Sequence, residues 1–315
     1  MKAISNVQVT PASLSVDNKT VDATQPLSLK DRYFDRLCLN EQDLDDEPTL
    51  DKLTQIQETH LQHIPFENLA QHGCGRHACL DIEATAKKIL EDQRGGFCFE
   101  LNGLLAAFLL ELGYHVSRVP AIVYHPDEKF DRPISHMCLS CKLQDTIYFV
   151  DAAFGEPALH PLVFEVDKEQ ATVEGILSRF VENEPGKIDL EWYSEEKSLF
   201  RPRIRFERDH VLSGGLDLAA FAPYLDNVFT EQSPFVQKLV CCRVTRTHKY
   251  TVAGNRLKVT TPRFGKDSTQ TVTAFETDEE VRQVLWKHFG VPFKESIGLD
   301  TEVSSKAKPD LWMVL

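Results

Sequence analysis

The hydrophobic pattern of this 315-residue chain changes its period directly after Gly113. Before Gly113, apolar residues recur every three or four positions in four separate segments, a spacing that places them on one face of an α-helix. After Gly113, apolar and polar residues alternate in short runs, which is typical of β-strands. A chain that is helical first and mainly strand-forming afterwards predicts an α+β fold.

The fourth predicted helix begins near Cys98 and ends at Leu112, and Gly113 follows it at the position where glycine commonly closes a helix. Its apolar residues have helical spacing and include Leu101 and Phe108. Residues that favour the first turn of a helix begin the other three segments. These are Ser28, Thr49 and Asp81.

The strand-forming region contains a clear hairpin. Its first predicted strand covers His136 to Leu143, its second covers residues 146–151, and Gln144 with Asp145 forms the turn. A final helix, which we expect Asp278 to cap, follows the last strands. Further strands are predicted at 180–181, 190–193, 204–206, 239–244, 249–253, 256–261 and 269–275.

Charge and composition exclude several classes of protein. The net charge of −13 argues against a nucleic-acid partner, because a phosphate backbone requires a basic surface. No run of about 18 apolar residues predicts a transmembrane helix, so we expect no membrane partner. The N-terminus does not resemble a secretory signal, and the eight cysteines are read as free thiols. The expected location is therefore the cytoplasm.

The stretch RGGFCFELN at 94–102 is the most informative for chemistry. Two glycines precede Cys98, and glycine lets a substrate approach the backbone closely. A cysteine in the first turn of a helix feels the positive end of the helix dipole, which favours thiolate over thiol. Cys98 is therefore a candidate nucleophile, although a lone cysteine behind a glycine turn is more often a small buried apolar residue.

A thiolate nucleophile needs a base, and the base needs a group that orients it. His136 begins the first strand of the predicted hairpin and Asp151 ends the second. Antiparallel pairing about the turn would place both at the same edge of the sheet. The residues alone thus make a set of Cys98, His136 and Asp151 geometrically plausible.

Four ordered motifs are similar to those of the arylamine N-acetyltransferases: IPFENL at 64–69, RGGFCFELN at 94–102, SHM at 135–137 and VDAAFG at 150–155. The resemblance extends from about residue 30 to the C-terminus and is weakest after about 160. It implies a papain-like cysteine-enzyme core with a helical bundle, a β-barrel and an α/β lid. It also implies that Cys98, His136 and Asp151 form the catalytic triad.

The resemblance further suggests how the chain is divided. We expect a flexible N-terminal extension at 1–27, followed by a helical domain at 28–113 that carries the nucleophile. A β-barrel domain at 114–218 would carry the histidine and the aspartate, and an α/β lid domain would occupy 219–315.

The reaction that the resemblance implies is a ping-pong acyl transfer. An acyl-CoA acylates Cys98, and an arylamine, hydrazine or hydroxylamine nitrogen then attacks the thioester. Acyl-CoA is a cosubstrate, and no cofactor is expected to be bound permanently. Relatives use acetyl, propionyl or, in some fungal members, malonyl donors. Residues expected at the CoA and acyl-donor site are Arg132, Pro133, Ser135 and Ser233.

Two alternatives stay open. A papain-like cysteine amidase or protease would use the same triad with water as the acceptor. A non-catalytic binding protein could have the same fold. The donor, the amine and the oligomeric state are not determined by the sequence.

Two structural predictions accompany the site. Arg94 and Glu67 belong to different motifs, and we predict a buried ion pair that supports the nucleophile helix without taking part in catalysis. Its loss should lower stability before it changes the pH profile of activity.

We expect no metal site. The histidines and cysteines at 72–79 fit no common zinc spacing. Cys138 and Cys141 would point to opposite faces of a regular strand. His60 and His63 lie three residues apart and are predicted on a solvated helix face.

Overall fold

The computed structural model describes residues 27–40, 47–72, 78–231, 233–265 and 267–294. The predicted N-terminal extension, apart from Leu27, therefore lies outside the described residues. Cys74 and His77 of the histidine and cysteine cluster also lie outside them.

Helices dominate the first part of the described chain. Short 3₁₀ turns occur at Leu69–Gln71 and Leu218–Phe221, and wider π-helical turns at Lys87–Glu91 and Leu285–Phe289. The α-helices of the described residues are α1 (Leu29–Leu37), α2 (Leu50–His63), α3 (Ile82–Ala86), α4 (Cys98–Glu111), α5 (Arg208–Leu212), α6 (Ala222–Val228), α7 (Pro234–Gln237) and α8 (Asp278–Val284).

Helix α4 is the centre of the main core. It is apolar almost all round and nearly every residue is buried, because α1 and α3 pack against it on one side and strands on the other. Tyr33 of α1 stacks on Phe108 with ring centroids 4.2 Å apart. Each large apolar side chain buried in this way stabilises the fold by roughly 1.5–3 kcal/mol. The nucleophile candidate thus begins the most firmly embedded helix.

Two antiparallel sheets contain the strands. Those of the first sheet are β2 (His115–Val123), β3 (His136–Leu143), β4 (Thr146–Val150), β5 (Leu162–Val163), β6 (Glu169–Ala171), β7 (Leu177–Glu184), β8 (Lys187–Ser194) and β9 (Leu199–Glu207). Those of the second are β1 (Phe66–Glu67), β10 (Val240–Val244), β11 (Lys249–Ala253), β12 (Arg256–Thr261) and β13 (Thr269–Ala274).

The eight-stranded sheet has the order β5-β4-β3-β2-β9-β8-β7-β6 and curls toward a barrel. Val166, which follows the edge strand β5, forms a bridge to Phe180 of β7 near the other edge. One face of β3 contributes Cys138 to the barrel core, and the other contributes Cys141 to the core around α4. Strand β3 therefore carries its side chains to both cores, as alternation requires.

The five-stranded sheet has the order β1-β10-β11-β12-β13. Its edge strand β1 comes from the helical part of the chain and pairs Phe66 with Cys242 and Glu67 with Cys241. Helix α8 covers one face of this sheet. Because β1 crosses between parts of the chain, the division at residues 113 and 218 stays a proposal.

Two sequence predictions are wrong. Thr277, not Asp278, caps α8: its side chain accepts from the backbone of Glu280, whose carboxylate accepts from the backbone of Thr277. This reciprocal pair satisfies two backbone donors that Asp278 at the first helical position cannot reach. His60 is fully buried instead of solvated, because α1 and β10 both pack on α2.

Among the described residues, no helix is long and apolar enough to cross a bilayer.

Candidate active site

Cys98 is the first residue of α4, at the end of a segment where the chain passes close to itself. A Cβ atom on Gly95 would lie 2.1 Å from the carbonyl oxygen of Pro65, so only glycine fits there. The backbone N–H of Phe97 is bound by Glu100 Oε2 at 2.9 Å. The Cys98 thiol is 3% exposed and donates to the carbonyl of Ser135 at 3.6 Å.

The predicted hairpin brings a histidine and a carboxylate together. His136 Nε2 lies 2.7 Å from Asp151 Oδ2, and both side chains are buried. Strands β3 and β4 pair from Leu139 with Val150 to Leu143 with Thr146, so His136 and Asp151 lie at the same end of the hairpin. Because Nε2 faces Asp151, the ring presents Nδ1 on its other side, towards Cys98.

The pKa of His136 shows the balance of forces at this position. Burial lowers the pKa of the imidazolium, but the Asp151 carboxylate and the Cys98 thiolate together outweigh burial and raise it to about 10. An imidazolium between a carboxylate and a thiolate is the charged form of a cysteine–histidine pair. His136 is therefore the group of this site that can hold a proton at neutral pH.

Asp151 is fixed by more than the histidine. Its Oδ1 accepts hydrogen bonds from the Asn102 side chain at 2.9 Å and from the backbone of Ala153 at 2.9 Å and Phe154 at 3.1 Å. Asn102 also donates to Met137 O at 2.6 Å and accepts from the backbone of Ala152 at 3.0 Å. Asn102 thus joins α4 to β3 and to the segment that follows β4.

Asn102 lies outside the set of catalytic residues predicted from the sequence. One signal pointed to it: Asn102 follows Cys98 by four positions, so both side chains lie on the same face of α4.

A cavity of about 450 Å³ opens beside Cys98. All four residues predicted at the donor site contribute to its wall, and so does His136. Aromatic side chains form its apolar part. The residues predicted at the donor site are Arg132, Pro133, Ser135 and Ser233, and the aromatic ones are Phe66, Phe97, Phe154 and Phe235.

Two of these residues have specific local partners. Arg132 forms an ion pair with Glu128 at 2.7 Å, which also lines the cavity. The Ser233 hydroxyl accepts from the backbone of Phe235 at 3.2 Å and so caps α7. Arg132 and Glu128 therefore place a cation and an anion close together in the cavity wall.

The segment after Asp151 forms one wall of the cavity and is held from the second sheet. Phe154 meets the His136 ring edge to face at 5.6 Å. The Cys242 thiol of β10 donates to the carbonyl of Gly155 at 3.1 Å. Glu156 lies 3.3 Å from Lys249 and 3.6 Å from Arg203. Both sheets therefore shape this wall.

The predicted ion pair between Arg94 and Glu67 is confirmed. Arg94 Nη2 lies 2.9 Å from Glu67 Oε1, and the Glu67 side chain is fully buried. Glu67 Oε2 also accepts from the backbone of Leu69 at 2.6 Å. The pair ties β1 to the segment that leads into α4.

The described residues contain no group of three or more histidine, cysteine, aspartate or glutamate side chains that could hold a metal ion. The cluster at 72–79 falls partly outside the described residues.

The sequence is similar to that of known proteins over most of its length. The family model described as N-acetyltransferase matches residues 49–297. The liver isozyme of arylamine N-acetyltransferase from Gallus gallus is 28% identical over 293 residues, covering 84% of this chain and 96% of that protein. Arylamine N-acetyltransferase 1 of Rattus norvegicus is 27% identical over 261 residues, covering 77% of this chain and 88% of that protein.

Solved structures are similar across most of the chain. The arylamine N-acetyltransferase of Mycobacterium tuberculosis superposes with a TM-score of 0.71 at 26% identity, covering 83% of this chain and 93% of that one. The Mycobacterium marinum enzyme, solved in complex with CoA, gives a TM-score of 0.70 at 24% identity, covering 83% and 92%. The predicted α+β class, with its papain-like core, helical bundle, β-barrel and α/β lid, is confirmed.

Proposed function

Because the chain belongs to the arylamine N-acetyltransferase family, we propose that it transfers an acyl group from acyl-CoA to an arylamine nitrogen through a thioester on Cys98. The observation that carries this proposal is the contact of 2.7 Å between His136 and Asp151 directly beside the Cys98 thiol. The chain is an acyltransferase that uses acyl-CoA as a cosubstrate. We propose in addition the thioester on Cys98, the triad and the range of acyl groups that the chain transfers.

In the first half-reaction the Cys98 thiolate attacks the carbonyl carbon of acyl-CoA. The carbon–sulfur bond to CoA breaks, and the His136 imidazolium gives its proton to the departing CoA sulfur. Exchange of one thioester for another is nearly isoenergetic, so it requires only a thiolate and a good leaving thiol. Asp151 holds the imidazole in one orientation throughout.

In the second half-reaction the amine nitrogen attacks the Cys98 thioester. Neutral His136 accepts a proton from the nitrogen as the new amide bond forms, and the thiolate leaves. The imidazolium and thiolate are thereby restored. Hydrazine and hydroxylamine nitrogens would react in the same way.

A developing oxyanion requires a donor, and we propose the backbone N–H of Cys98. The N–H of Phe97 is already bound by Glu100, so it is not the donor. A donor at the start of α4 also benefits from the helix dipole.

The cavity supports a role for Arg132, Pro133, Ser135 and Ser233 in holding the donor, since all four line it together with Cys98. The M. marinum relative solved with CoA supports the nature of the donor. For the acyl group we propose acetyl, propionyl or malonyl. A malonyl carboxylate would have to compete with Glu128 for the guanidinium group of Arg132. An Arg132→Ala variant should therefore lose malonyl transfer while it keeps acetyl transfer.

The central experiment measures the release of the CoA thiol from acetyl-CoA with and without an arylamine, for the wild type and for Cys98→Ser. Cys38→Ser, at an exposed free cysteine, is the matched control. We expect amine-dependent release in the wild type and the control, none in Cys98→Ser, and an acetyl adduct on Cys98 by peptide mass analysis.

Two results would overturn the proposal. Peptide or amide cleavage without amine-dependent CoA release would identify an amidase or protease that uses the same three residues. Failure of Cys98 to be acylated, with no transfer at all, would favour a binding protein.

The cytoplasmic location also stays a proposal. Its support is that the seven cysteines of the described residues are free thiols, as a reducing compartment allows. Fractionation of cells that express the chain tests it, and recovery in an oxidising compartment would contradict it.

A further inference from the structure

The loop between β2 and β3 forms one side of the proposed donor cavity. Backbone hydrogen bonds fix its two ends. The N–H of Tyr124 donates to the carbonyl of Arg203 at 2.9 Å, and the N–H of Ser135 donates to the carbonyl of Ala121 at 3.1 Å. The residues that this loop contributes to the cavity wall are His125, Glu128, Arg132, Pro133 and Ser135.

The tip of the loop is held by bonds within the loop itself. The N–H groups of His125 and Lys129 each donate to the carbonyl of the other, at 2.9 Å and 2.7 Å. The N–H of Asp131 donates to the carbonyl of Glu128 at 2.9 Å, and the Glu128 carboxylate pairs with Arg132. These bonds give the tip a defined internal shape, but they do not join it to the barrel.

Phe130 joins the tip to the barrel. It is partly buried, whereas the other residues of the stretch 126–131 are exposed. The guanidinium carbon of Arg205, on β9, lies 4.3 Å from the centroid of the Phe130 ring. The Tyr124 ring meets the same ring edge to face at 5.4 Å. A guanidinium group over an aromatic face is attracted by the electrons of the ring, so this contact is specific as well as apolar.

The barrel holds the Arg205 side chain in a fixed orientation. Arg205 Nε donates to Asp189 Oδ1 at 2.6 Å, and Nη2 donates to Asp189 Oδ2 at 2.9 Å. Two parallel bonds of this kind fix the plane of the guanidinium group. Asp189 is 2% exposed and also accepts from the Asn183 side chain at 2.8 Å. Phe130 therefore rests on a surface whose position is set by β8 and β9 and not by the loop.

We propose that Phe130 and Arg205 are positioning residues for the acyl donor: their contact holds the loop in the arrangement in which its wall residues meet acyl-CoA. The inference rests on the proposed function, since it takes this cavity as the donor site. A site that adopts its binding arrangement only part of the time has a weaker apparent affinity, in proportion to that fraction. Loss of the contact should therefore weaken donor binding and leave the chemistry at Cys98 unchanged.

The test replaces Phe130 and leaves Arg205 in place, because removal of Arg205 would leave the buried Asp189 carboxylate without its partner. Steady-state kinetics gives KM for acetyl-CoA and kcat, and calorimetry gives Kd for CoA. We expect Phe130→Ala to raise KM and Kd roughly three- to tenfold while kcat stays within about twofold of the wild type. Phe130→Tyr keeps an aromatic face and should stay close to the wild type.

A second cluster of the same composition on the barrel provides a matched control. The Arg179 guanidinium carbon lies 4.0 Å from the centroid of the Phe200 ring, and the Tyr193 ring meets Phe200 edge to face at 5.3 Å. Arg179 is also bound to a carboxylate, that of Glu191, at 2.9 Å. None of these residues is among the described residues that line the cavity. Phe200→Ala removes the same kind of contact and should leave KM and Kd unchanged.

Limited digestion with trypsin reports the position of the loop without any activity measurement. Lys129 is exposed and directly precedes Phe130. Cleavage after Lys129 should be several-fold faster in Phe130→Ala than in the wild type or in Phe200→Ala, and saturating CoA should slow it. If Phe130→Ala does not fold, Phe130→Leu decides by the same measurements, since it keeps an apolar side chain but has no aromatic face.

Unchanged KM and Kd in Phe130→Ala, or an equal rise in Phe200→Ala, overturns the inference. A fall in kcat with unchanged KM also overturns it, because the loop would then act on the chemistry and not on the donor. CoA binding requires no thioester, so the two proposals fail separately. If Cys98→Ser still transfers acetyl groups, the proposed function fails while the rise in Kd can stand. If the Cys98 thioester forms but Phe130→Ala binds CoA as the wild type does, only the role of the loop contact fails.

Discussion

Two buried histidines in this molecule have opposite electrostatic properties. His136 is 2% exposed and His60 is fully buried, so their burial is nearly equal. The pKa of His136 is raised to about 10, whereas the pKa of His60 is lowered to about 3. His136 faces Asp151, while neither ring nitrogen of His60 has a hydrogen-bond partner among the residues that the structure describes.

The comparison shows that burial alone does not produce a reactive histidine. Burial disfavours the charged imidazolium in both cases, and for His60 the nearby charge of Arg36 lowers the pKa further. At His136 a fixed carboxylate and a thiolate reverse the result. The histidine that can hold a proton at neutral pH is therefore the one with partners, and the following changes test that distinction.

The largest effect is expected for Asp151→Asn, which should make His136 resemble His60. Loss of the carboxylate removes the main partner that holds the imidazolium, and loss of the equivalent group in a comparable triad costs roughly 10⁴-fold in turnover. Steady-state kinetics with acetyl-CoA and an arylamine measures it. A variant that keeps more than a tenth of the wild-type kcat would show that Asp151 has little influence on His136.

The next largest effect is expected for a buried carboxylate that loses its charged partner. Arg94→Ala leaves Glu67 buried without its ion-pair partner, and removing one member of a buried pair typically costs about 3–5 kcal/mol. Urea unfolding should show this loss, while the pH profile of the remaining activity keeps its shape. A fully stable Arg94→Ala protein would contradict the structural role.

A smaller effect is expected in the pH dependence of the free energy of unfolding, to which the two histidines contribute with opposite sign. The folded pKa of His136 is raised, so its stabilising contribution is present below about pH 6.5 and is lost as the pH rises towards 10. The folded pKa of His60 is lowered, so the unfolded state binds the extra proton and stability falls as the pH drops from about 6.5 towards 3.

His60→Leu should therefore reduce the loss of stability between pH 7 and pH 4.5 by roughly 2–3 kcal/mol relative to the wild type. Urea unfolding at both pH values measures it, and His115→Gln, at an exposed position, serves as control. Equal acid sensitivity of His60→Leu and the wild type would show that His60 is protonated in the folded protein.

The smallest effect is expected where both partners are exposed. Lys168 and Glu165 lie 2.6 Å apart with more than half of each side chain exposed. Lys168→Ala should change the free energy of unfolding by less than about 1 kcal/mol, because water and salt screen such pairs. A loss as large as that of Arg94→Ala would remove the distinction between buried and exposed partners.

Features set by local sequence were predicted well. The strands Lys249–Ala253 and Arg256–Thr261 have the predicted bounds, and β3 begins at His136 and ends at Leu143 as expected. Alternating apolar residues and tight turns determine such strands over a few positions. The side-by-side location of His136 and Asp151 could be inferred from the same local pattern.

Features set by distant segments were not predicted. The burial of His60 depends on α1 and β10, which no helical pattern in α2 identifies. Strand β1 pairs with β10 across a long stretch of sequence, and its two residues give no strand signal. The hydrogen bond from Asn102 to Asp151 likewise forms only when α4 packs against its neighbours.

The position of β1 in the sheet limits the order in which parts of the protein can fold during synthesis. The side chain of Asn68, directly after β1, accepts from the backbone of Val240, 172 residues later in the chain. A ribosome that adds roughly 5–20 residues per second needs about ten to thirty seconds to make that stretch. The newly made Cys98 segment therefore leaves the ribosome well before its structural support exists. Nascent chains stalled before residue 240 should then lack acyltransferase activity, although they already contain Cys98, His136 and Asp151.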